Sequence, residues 1–258
     1  MSAMQSLSIV IPVYNEEDNI ASLVERITDA MSGWEGSVEI LFVDDGSNDR
    51  TLELLKEAQA GDARVRIAHF HRNMGQTAAM AAGFRLARGE AIVTIDADLQ
   101  NDPMEIPLLA AMLNNWDLVC GVRTRRKDTL WKRISSRIGN GFRNWVTADN
   151  IIDTGCTLKA YRRECLDGLE LYKGMHRFLP TLIKMRGFRV TQVPVSHHPR
   201  LAGKTKYGTW GRLVKGFQDV WVVRWMRKNY IGFESNLQLI ERDSAGLPKT
   251  RTNEAAKR

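Results

Sequence analysis

The regular alternation of short β-branched runs with longer amphipathic stretches constrains the fold of this chain more than any other feature. Five apolar runs of strand length are bounded by turn residues and lie at residues 7–13, 38–44, 65–70, 91–96 and 117–122. Helix-like stretches separate or follow them at residues 17–31, 50–60, 75–87 and 104–113. This alternation predicts an α/β fold with a mostly parallel central sheet, whose ligands bind at the carboxyl ends of the strands.

The chain changes character after the fifth predicted strand. Residues 123–143 hold eight basic residues and one acidic residue, a composition that predicts a loop entering a helix. Shorter elements follow, with strands predicted at 157–161 and 188–195 and a helix at 176–186. The next segment, SHHPRLAGKTKYGTWG, is rich in glycine and lysine and is typical of a mobile loop at a ligand site.

Two acids, Asp96 and Asp98, close the fourth predicted strand, and Gln100 follows them. Alternation along an extended segment predicts that both carboxylates point to the same side, at the edge where α/β folds bind ligands. Such an oxygen-rich site suits Mg²⁺ or Mn²⁺ bridging a diphosphate. A D-x-D pair occurs often by chance, and on its own it more often marks two solvated acids in a turn. The assignment therefore depends on its neighbours.

Polar residues also end the first two predicted strands. The first strand runs into Tyr14 and Glu16, and the second into Asp44 and Asp45. The ends of parallel strands meet at one edge of a sheet, and an acid there can accept hydrogen bonds from ribose hydroxyls. After the third strand, Gly75 opens a helix whose backbone N–H groups favour a phosphate or another anion. Together with the acidic pair, these ends predict a nucleotide site.

At this point the chain resembles glycosyltransferase family 2, whose ordered motifs are similar to IPVYNEEDNI, FVDDGSNDRT, RNMGQTAAMAAGF and DADLQNDP. Three later segments resemble the polyprenyl-phosphate branch of that family, to which dolichyl-phosphate mannose synthase belongs: VRTRR, DTGCTLKAYRRE and PRLAGKTKYG. The resemblance covers about residues 7–210. It implies a Rossmann-like GT-A fold and an inverting enzyme that uses a GDP- or UDP-linked sugar with Mg²⁺ or Mn²⁺.

The resemblance, with the argument from strand ends, also implies roles for individual residues. Nucleotide-sugar binding falls to Pro12, Tyr14, Glu16, Asp44, Asp45, Gly75, Asp96, Arg200 and Lys206. The metal is expected on Asp98 and Gln100, and the catalytic group comprises Asp96, Asp98, Gln100 and Arg123. The acceptor phosphate is expected to contact Arg123, Arg133, Ser136, Arg137 and Lys204.

The chain departs from the family pattern in two ways. Family members often carry a second glycine-containing element, similar to DxGSGF, where this chain reads DTGCTL from Asp153. The role of Asp153 is therefore left open. Many bacterial members also continue into membrane-spanning helices, whereas no stretch here approaches the roughly 18–20 apolar residues of a membrane span. We therefore expect a protein that does not cross a bilayer unaided.

Charge and aromatic content direct the acceptor side towards a lipid phosphate. The net charge of +7 indicates a polyanionic partner, and composition does not choose among a phosphorylated lipid, a membrane surface, a nucleotide and a nucleic acid. Residues 210–235 combine an aromatic stripe at helical spacing with flanking cations, which favours the bilayer interface. Packing on the domain or on a partner chain is the alternative. We predict a GT-A catalytic domain over residues 1–209, an amphipathic interfacial helix over 210–235 and a disordered tail over 236–258.

The leading hypothesis is an enzyme that transfers a sugar to a polyprenyl phosphate while bound peripherally to the cytosolic face of a membrane. The three cysteines are odd in number and lack metal-ligand spacing, which indicates reduced thiols in the cytosol. The sequence leaves open the donor base, the sugar, the lipid length and the participation of a membrane-anchor subunit.

Two other functions compete with this hypothesis. One is a family 2 transferase with a soluble, lipopolysaccharide or polysaccharide acceptor, and the other is a non-catalytic nucleotide-binding module. Nucleic acid is not an expected partner, because convergent acids at strand ends repel a phosphate backbone. A dinucleotide-dependent oxidoreductase is disfavoured because no G-x-G-x-x-G follows the first strand.

Overall fold

The computed structural model describes residues 6–123, 149–199, 209–231, 238–242 and 248–252. The strands are β1 Ser6–Val13, β2 Ser37–Asp44, β3 Val65–His69, β4 Ala91–Thr94, β5 Leu118–Arg123, β6 Lys159–Arg162, β7 Val190–Val195, β8 Gln238–Arg242 and β9 Pro248–Thr252. The α-helices are α1 Ile20–Ala30, α2 Thr51–Gly61, α3 Gln76–Leu86, α4 Ile106–Met112, α5 Leu179–Met185 and α6 Thr209–Asn229. Short 3₁₀ turns lie at Pro103–Glu105, Arg163–Cys165 and Met175–Phe178.

Seven strands form one sheet in the order β3-β2-β1-β4-β6-β5-β7. All neighbouring pairs in it are parallel except those of β6, which runs antiparallel to both β4 and β5. The predicted mostly parallel sheet is confirmed. Because β6 is reversed, its first residue, Lys159, lies at the edge where β1, β2, β4, β5 and β7 end. The alternation of strands and helices in the sequence does not predict a residue from the start of a strand at this edge.

Two apolar layers cover the sheet because side chains alternate along its buried strands. In β1, Leu7, Ile9 and Ile11 face one layer, while Val10 faces the other. Helices α1, α2 and α4 pack on the first layer, and α3 and α5 on the second. The apolar spacing predicted a helix over 17–31, and α1 buries Ile20, Leu23 and Ile27 along one stripe.

A glycine sets the distance between α3 and the sheet. A Cβ added at Gly83 would lie 2.3 Å from Cγ1 of Val10, so the helix approaches β1 more closely than any larger residue allows. β1 ends and α3 begins at the carboxyl edge of the sheet. This contact therefore also positions the residues that follow β1 and those that begin α3.

The C-terminal part contains a helix that packs on the domain and a strand pair. In α6, Val220 and Val223 are buried against Met175, Phe178 and Leu182. Within the described residues, no helix is long and apolar enough to span a bilayer.

Strands β8 and β9 pair antiparallel inside the segment that was expected to be disordered, with Glu241 opposite Lys249. The expectation of a disordered tail over residues 236–258 stays a prediction, and the structure describes ten of those residues as this strand pair. Opposite charges that face each other across two strands stabilise the pair. The sequence of the segment is polar and charged, a composition that is also typical of disordered segments.

Candidate functional site

A cavity of about 690 Å³ opens at the carboxyl edge of the sheet. Residues that follow β1 and β4, the end of β5, the start of β6 and the Met175–Phe178 turn line it. Eight predicted site residues meet there: Pro12, Tyr14, Glu16, Asp45, Asp96, Asp98, Gln100 and Arg123. The structure thus brings together side chains separated by up to about half of the chain.

The turn after β1 is held by the turn after β2. Asn15 has a φ of 51°, and its backbone N–H donates to Oγ of Ser47 at 2.9 Å. The N–H of Glu16 donates to Oγ1 of Thr51 at 2.8 Å. These bonds anchor the backbone on both sides of Tyr14 and hold that side chain at the cavity.

Asp44 and Asp45 follow the same strand but lie in different surroundings. The Asp44 residue is fully buried and does not line the cavity. Its Oδ1 accepts from Oγ of Ser47 at 2.5 Å, and its Oδ2 lies 2.8 Å from Nδ1 of His69. The structure does not place Asp44 with the other predicted nucleotide-binding residues, and its contact with a ribose stays a prediction.

The N-terminus of helix α3 at Gly75 was expected to bind an anion from a ligand. In the structure it binds the carboxylate of Asp45 instead. Carboxylate oxygens of Asp45 accept from the backbone N–H of Met74 at 2.7 Å and of Gly75 at 2.8 Å. The side chain of Asn73 donates to the same carboxylate at 2.9 Å. Burial raises the pKa of Asp45, and the donated hydrogen bonds oppose that rise. Gly75 does not line the cavity, so its contact with a donor phosphate also stays a prediction.

The acidic pair lies in a turn and not in an extended strand. β4 ends at Thr94, two residues before Asp96, and Leu99 has a φ of 58°. Both carboxylates nevertheless reach the cavity, as the alternation argument predicted, because the turn folds them towards the same space. The N–H of Gln100 donates to Oδ1 of Asp98 at 3.2 Å.

Burial and the neighbouring charge of Asp98 raise the pKa of Asp96 to about 6. Nε2 of Gln76 donates to Oδ1 of Asp96 at 3.0 Å, which orients one oxygen. Two carboxylates that repel each other in a partly buried cavity are an environment that a cation relieves. No group of three or more His, Cys, Asp or Glu residues with metal-site geometry occurs among the described residues. Asp96, Asp98 and the side-chain amide of Gln100 line the cavity and offer oxygen atoms of the kind that Mg²⁺ and Mn²⁺ prefer. The assignment of the metal to Asp98 and Gln100 stays a prediction.

Arg123, which lines the cavity, forms a bidentate ion pair with Asp153. Nε and Nη2 of Arg123 donate to the two carboxylate oxygens at 2.7 and 2.8 Å. A Cβ added at Gly155 would lie 2.8 Å from Nη2 of Arg123, so a residue without a side chain makes room for the guanidinium. The pair answers the question that the DTGCTL segment raised: Asp153 orients Arg123 at the cavity.

Three basic side chains of the cavity were not predicted from the sequence: Lys159, His176 and Arg177. Lys159 is buried, and its Nζ donates to the backbone carbonyl of Cys156. The sequence pattern that could have predicted this position is a lysine between apolar residues at the start of a strand. His176 and Arg177 lie in a 3₁₀ turn that the sequence analysis assigned to the start of a helix, so their convergence on the cavity depends on tertiary packing.

His176 is held as a neutral ring. Its Nδ1 lies 2.7 Å from Oγ1 of Thr77, and that hydroxyl accepts from the N–H of Gly174 at 3.0 Å. Which of the two atoms donates in the contact between Thr77 and His176 depends on the tautomer of the ring. Burial and the nearby Arg177 and Lys159 lower the pKa of His176 to about 4. The ring is therefore uncharged near neutral pH. Among the described residues that line the cavity, the positive charges are those of Arg123, Lys159 and Arg177.

The remaining site predictions fall on residues outside the described part of the chain: Arg133, Ser136, Arg137, Arg200, Lys204 and Lys206. The three cysteines are free and buried, which agrees with the expected reduced thiols.

Comparison with known proteins supports the family resemblance. A family model described as Glycosyl transferase family 2 matches residues 8–169. An undecaprenyl-phosphate 4-deoxy-4-formamido-L-arabinose transferase from Edwardsiella ictaluri is 39% identical over 207 residues, covering 80% of this chain and 64% of the relative. A dodecaprenyl-phosphate galacturonate synthase from Rhizobium johnstonii is 40% identical over 208 residues, covering 78% of this chain and 62% of that relative. The chain thus matches slightly less than two thirds of the length of these relatives.

A solved structure gives the same fold. Glucosyl-3-phosphoglycerate synthase from Mycobacterium tuberculosis, crystallised with Mn²⁺, UDP and glucosyl-3-phosphoglycerate, superposes with a TM-score of 0.64 over 96% of this chain and 87% of that chain. At 18% identity this likeness concerns the fold, and it confirms the GT-A architecture. The motif order from residue 7 onwards, the parallel sheet with its acidic turn after β4 and the family match over more than half of the sequence agree, and this chain belongs to glycosyl transferase family 2.

Proposed function

We propose that this protein transfers a sugar from a nucleotide diphosphate donor to a polyprenyl phosphate, with inversion at the anomeric carbon and with Mg²⁺ or Mn²⁺ as cofactor. The observation that carries the proposal is the polarity of the cavity. Two acids, Asp96 and Asp98, and three cationic side chains, Arg123, Lys159 and Arg177, line the same cavity, and the charges of Lys159 and Arg123 act on Asp96. Two anionic substrates that must meet at one carbon need this arrangement. The relatives described above, an undecaprenyl-phosphate sugar transferase and a dodecaprenyl-phosphate galacturonate synthase, support the same acceptor class.

The donor is assigned to the side formed by the ends of β1 and β4. Pro12, Tyr14 and Glu16 border the cavity where a base and ribose fit, and Asp96 lies beside them. Asp98 and Gln100 are the proposed ligands of the divalent cation. When bound, that cation supplies charge neutralisation for the departing nucleotide diphosphate. The hydrogen bond from Gln76 holds one oxygen of Asp96 in place.

The acceptor needs little activation from the protein. A phosphate monoester has a second pKa of about 6, so its oxygen is already an anion near neutral pH. That oxygen attacks the anomeric carbon, and the bond from this carbon to the diphosphate breaks with its electron pair on the leaving oxygen. The protein's contribution is to place the two anions and to screen their repulsion. Arg123, oriented by Asp153, is one proposed acceptor contact.

Further cationic contacts are proposed from segments outside the described residues. Arg133, Ser136, Arg137 and Lys204 complete the proposed acceptor side, and Arg200 and Lys206 lie on the proposed closing loop. These assignments rest on the family resemblance and on the positions of those residues in the sequence.

The membrane surface is the proposed meeting place with the lipid, at its cytosolic face. Trp221 and Trp225 of α6 are more than half exposed, and the guanidinium of Arg224 lies 5.8 Å from the centroid of the Trp221 ring. Aromatic rings flanked by cations favour the interface between headgroups and acyl chains. The opposite face of the same helix is buried on the domain through Val220 and Val223, which supports peripheral attachment by this helix.

A product assay tests the proposed function. Purified protein is incubated with a panel of radiolabelled UDP- and GDP-sugars, a divalent cation and undecaprenyl phosphate in detergent, and the organic phase is counted. We expect label from one donor to become lipid-soluble and to require the cation. If no donor in the panel labels the lipid while one labels a soluble phosphomonoester, the polyprenyl acceptor is wrong. Metal-dependent thermal stabilisation by UDP or GDP identifies the base independently of turnover.

A further inference from the structure

The described part of the cavity contains three cationic side chains, and two of them are already engaged. Arg123 is bound by both oxygens of Asp153. Lys159 is buried and donates to the carbonyl of Cys156. Arg177 is exposed and forms no hydrogen bond or ion pair with any residue that the structure describes. Of these three, Arg177 is therefore the cation with its donors available to an incoming anion.

The backbone that carries Arg177 is held from two sides. On the sheet side, the hydroxyl of Thr77 accepts from the N–H of Gly174 and contacts His176. On the other side, Met175 and Phe178 pack against Val220 and Val223 of α6. The turn is thus a shared wall between the cavity and the helix with exposed tryptophans.

Gly174 lets α6 approach this turn closely. Its φ is 92°, and an added Cβ would lie 2.9 Å from Oδ2 of Asp219 in α6. The neutral imidazole of His176 adds no second positive charge beside Arg177. Arg177 is exposed, whereas Lys159 and the side chain of Arg123 are largely buried. Of these three cations, Arg177 is therefore the one that an anion arriving from solvent can reach first.

Building on the proposed function, we propose that Arg177 binds the phosphate of the acceptor and that the Met175–Phe178 turn places it on the side of the cavity next to α6. The chemical class of the ligand is a phosphate monoester on an apolar chain. A guanidinium can give two parallel hydrogen bonds to a phosphate, which gives orientation as well as charge. The donor diphosphate is assigned to the wall formed by Asp98 and Gln100, so Arg177 is expected to act on the acceptor alone.

Steady-state kinetics of Arg177→Gln tests this assignment. We expect the KM for undecaprenyl phosphate to rise by about 10- to 100-fold, since hydrogen bonds to a charged group are lost, while the KM for the donor sugar stays within about twofold. Arg177→Lys keeps the charge without the planar fork and is expected to recover part of the loss. The matched control is Arg85→Gln, because Arg85 lies on the surface in an exposed pair with Glu170 outside the cavity.

Competition by inorganic phosphate separates a phosphate contact from a contact with the lipid chain. It is expected to inhibit the wild type and to inhibit Arg177→Gln more weakly by a factor similar to the change in KM. A water-soluble, short-chain prenyl phosphate is expected to show the same dependence on Arg177 as the long lipid.

Several outcomes overturn the inference, and one belongs to the proposed function alone. An unchanged acceptor KM in Arg177→Gln removes Arg177 from the acceptor site, and a rise confined to the donor KM assigns it to the diphosphate. Dependence on Arg177 for the long lipid but not for inorganic phosphate or the short-chain compound shows a contact with the chain. A wild type that glycosylates no prenyl phosphate refutes the proposed function itself. Thermal unfolding of Arg177→Gln at the wild-type temperature shows that any loss is not a folding defect.

Discussion

Arg123 and Asp153 lie 30 residues apart in the chain and meet in a two-point ion pair at the cavity wall, with donor–acceptor distances of 2.7 and 2.8 Å. The side chains are 14% and 10% exposed, so each charge depends on the other for its solvation. The pair joins the end of β5 to the segment before β6 and holds the guanidinium towards the cavity.

Replacing Asp153 by Asn is expected to destabilise the fold and to weaken acceptor binding. The change leaves the guanidinium of Arg123 without its counter-charge in a mostly buried position, and breaking such pairs costs about 3–5 kcal/mol. Denaturant unfolding measures the loss. The control is Glu53→Gln, which breaks the exposed pair with Arg50 and is expected to cost about 0–1 kcal/mol. Equal losses in the two variants would show that Arg123 does not depend on Asp153.

Replacing Asp98 by Ala is expected to abolish metal-dependent turnover with the fold retained. Asp98 lines the cavity beside Asp96, and its charge helps to raise the pKa of Asp96. Its removal takes away one proposed metal ligand and one source of repulsion, so stability is expected to hold or rise slightly. The measurement is the initial rate against Mg²⁺ or Mn²⁺ concentration, with thermal unfolding as the fold control. Asp62→Asn, which removes an ion pair with Arg64 outside the cavity, is the matched acid control. Turnover that keeps its metal dependence in Asp98→Ala would eliminate this residue as a ligand.

Acid is expected to destabilise the protein partly through His176. The folded state lowers the pKa of this ring to about 4, whereas an unfolded histidine titrates near 6.5. Between these values the unfolded chain binds more protons, so stability rises with pH in this window and is lost as pH falls from about 6.5 towards 4. The contribution is up to about 3 kcal/mol.

Unfolding free energies of wild type and His176→Gln at pH 4.5, 5.5 and 7 test this expectation. The substitution keeps a polar group near Thr77 but removes the titration, so the variant's stability should depend less steeply on pH. The control is His71→Gln, a change of an exposed residue, which should leave the slope unchanged. Parallel curves for wild type and His176→Gln contradict the assignment.

The proposed attachment of α6 to a membrane surface predicts that the exposed tryptophans of this helix contribute to vesicle binding. Trp221→Ser with Trp225→Ser is expected to reduce binding to vesicles of mixed phosphatidylglycerol and phosphatidylcholine by about tenfold or more, because both rings lose contact with the interface. Sedimentation with vesicles measures it, and added salt weakens the part due to anionic lipid. Trp116→Ser, which changes a partly exposed ring outside α6, serves as the control. Unchanged binding of the double variant would indicate that a different surface meets the bilayer.

Close packing of α3 on β1 predicts a sharp penalty at one glycine. Gly83→Ala places a methyl group against Val10 and is expected to cost about 1–3 kcal/mol through overpacking. Gly33→Ala is the comparison, since a Cβ there has no atom within 4 Å and is expected to be close to neutral. Thermal unfolding of the two variants provides the measurement, and similar midpoints would show that α3 moves away at little cost.

The sequence alone was enough to predict the alternating elements, the parallel sheet and the acidic corner at Asp96 and Asp98. Those features depend on local information: periods of two and 3.6 in hydrophobicity, and polar residues at the ends of apolar runs. The order of the motifs along the chain additionally indicated the glycosyltransferase family. The first strands and helices consequently lie within a few residues of their predicted positions.

Tertiary structure decided which of these polar residues face the cavity. Asp44 and Asp45 are adjacent in sequence but have different partners. The carboxylate of Asp44 contacts His69 and Ser47. The carboxylate of Asp45 binds the N-terminus of α3, and this residue also lines the cavity. The bonds that separate their roles come from distant segments, which hydrophobic periodicity does not place.

The same holds for the cationic wall of the site. The reversal of β6 brings Lys159 to the edge, and the packing of α6 holds the turn that carries Arg177. The sequence by itself determined that this chain forms an α/β sheet with an acidic, ligand-binding edge. The reason is that hydrophobic periodicity and the polar residues at strand ends are properties of neighbouring residues in the chain. Only the tertiary structure decided which cations oppose that acidic corner, because their positions depend on strand direction and on contacts between residues far apart in the chain.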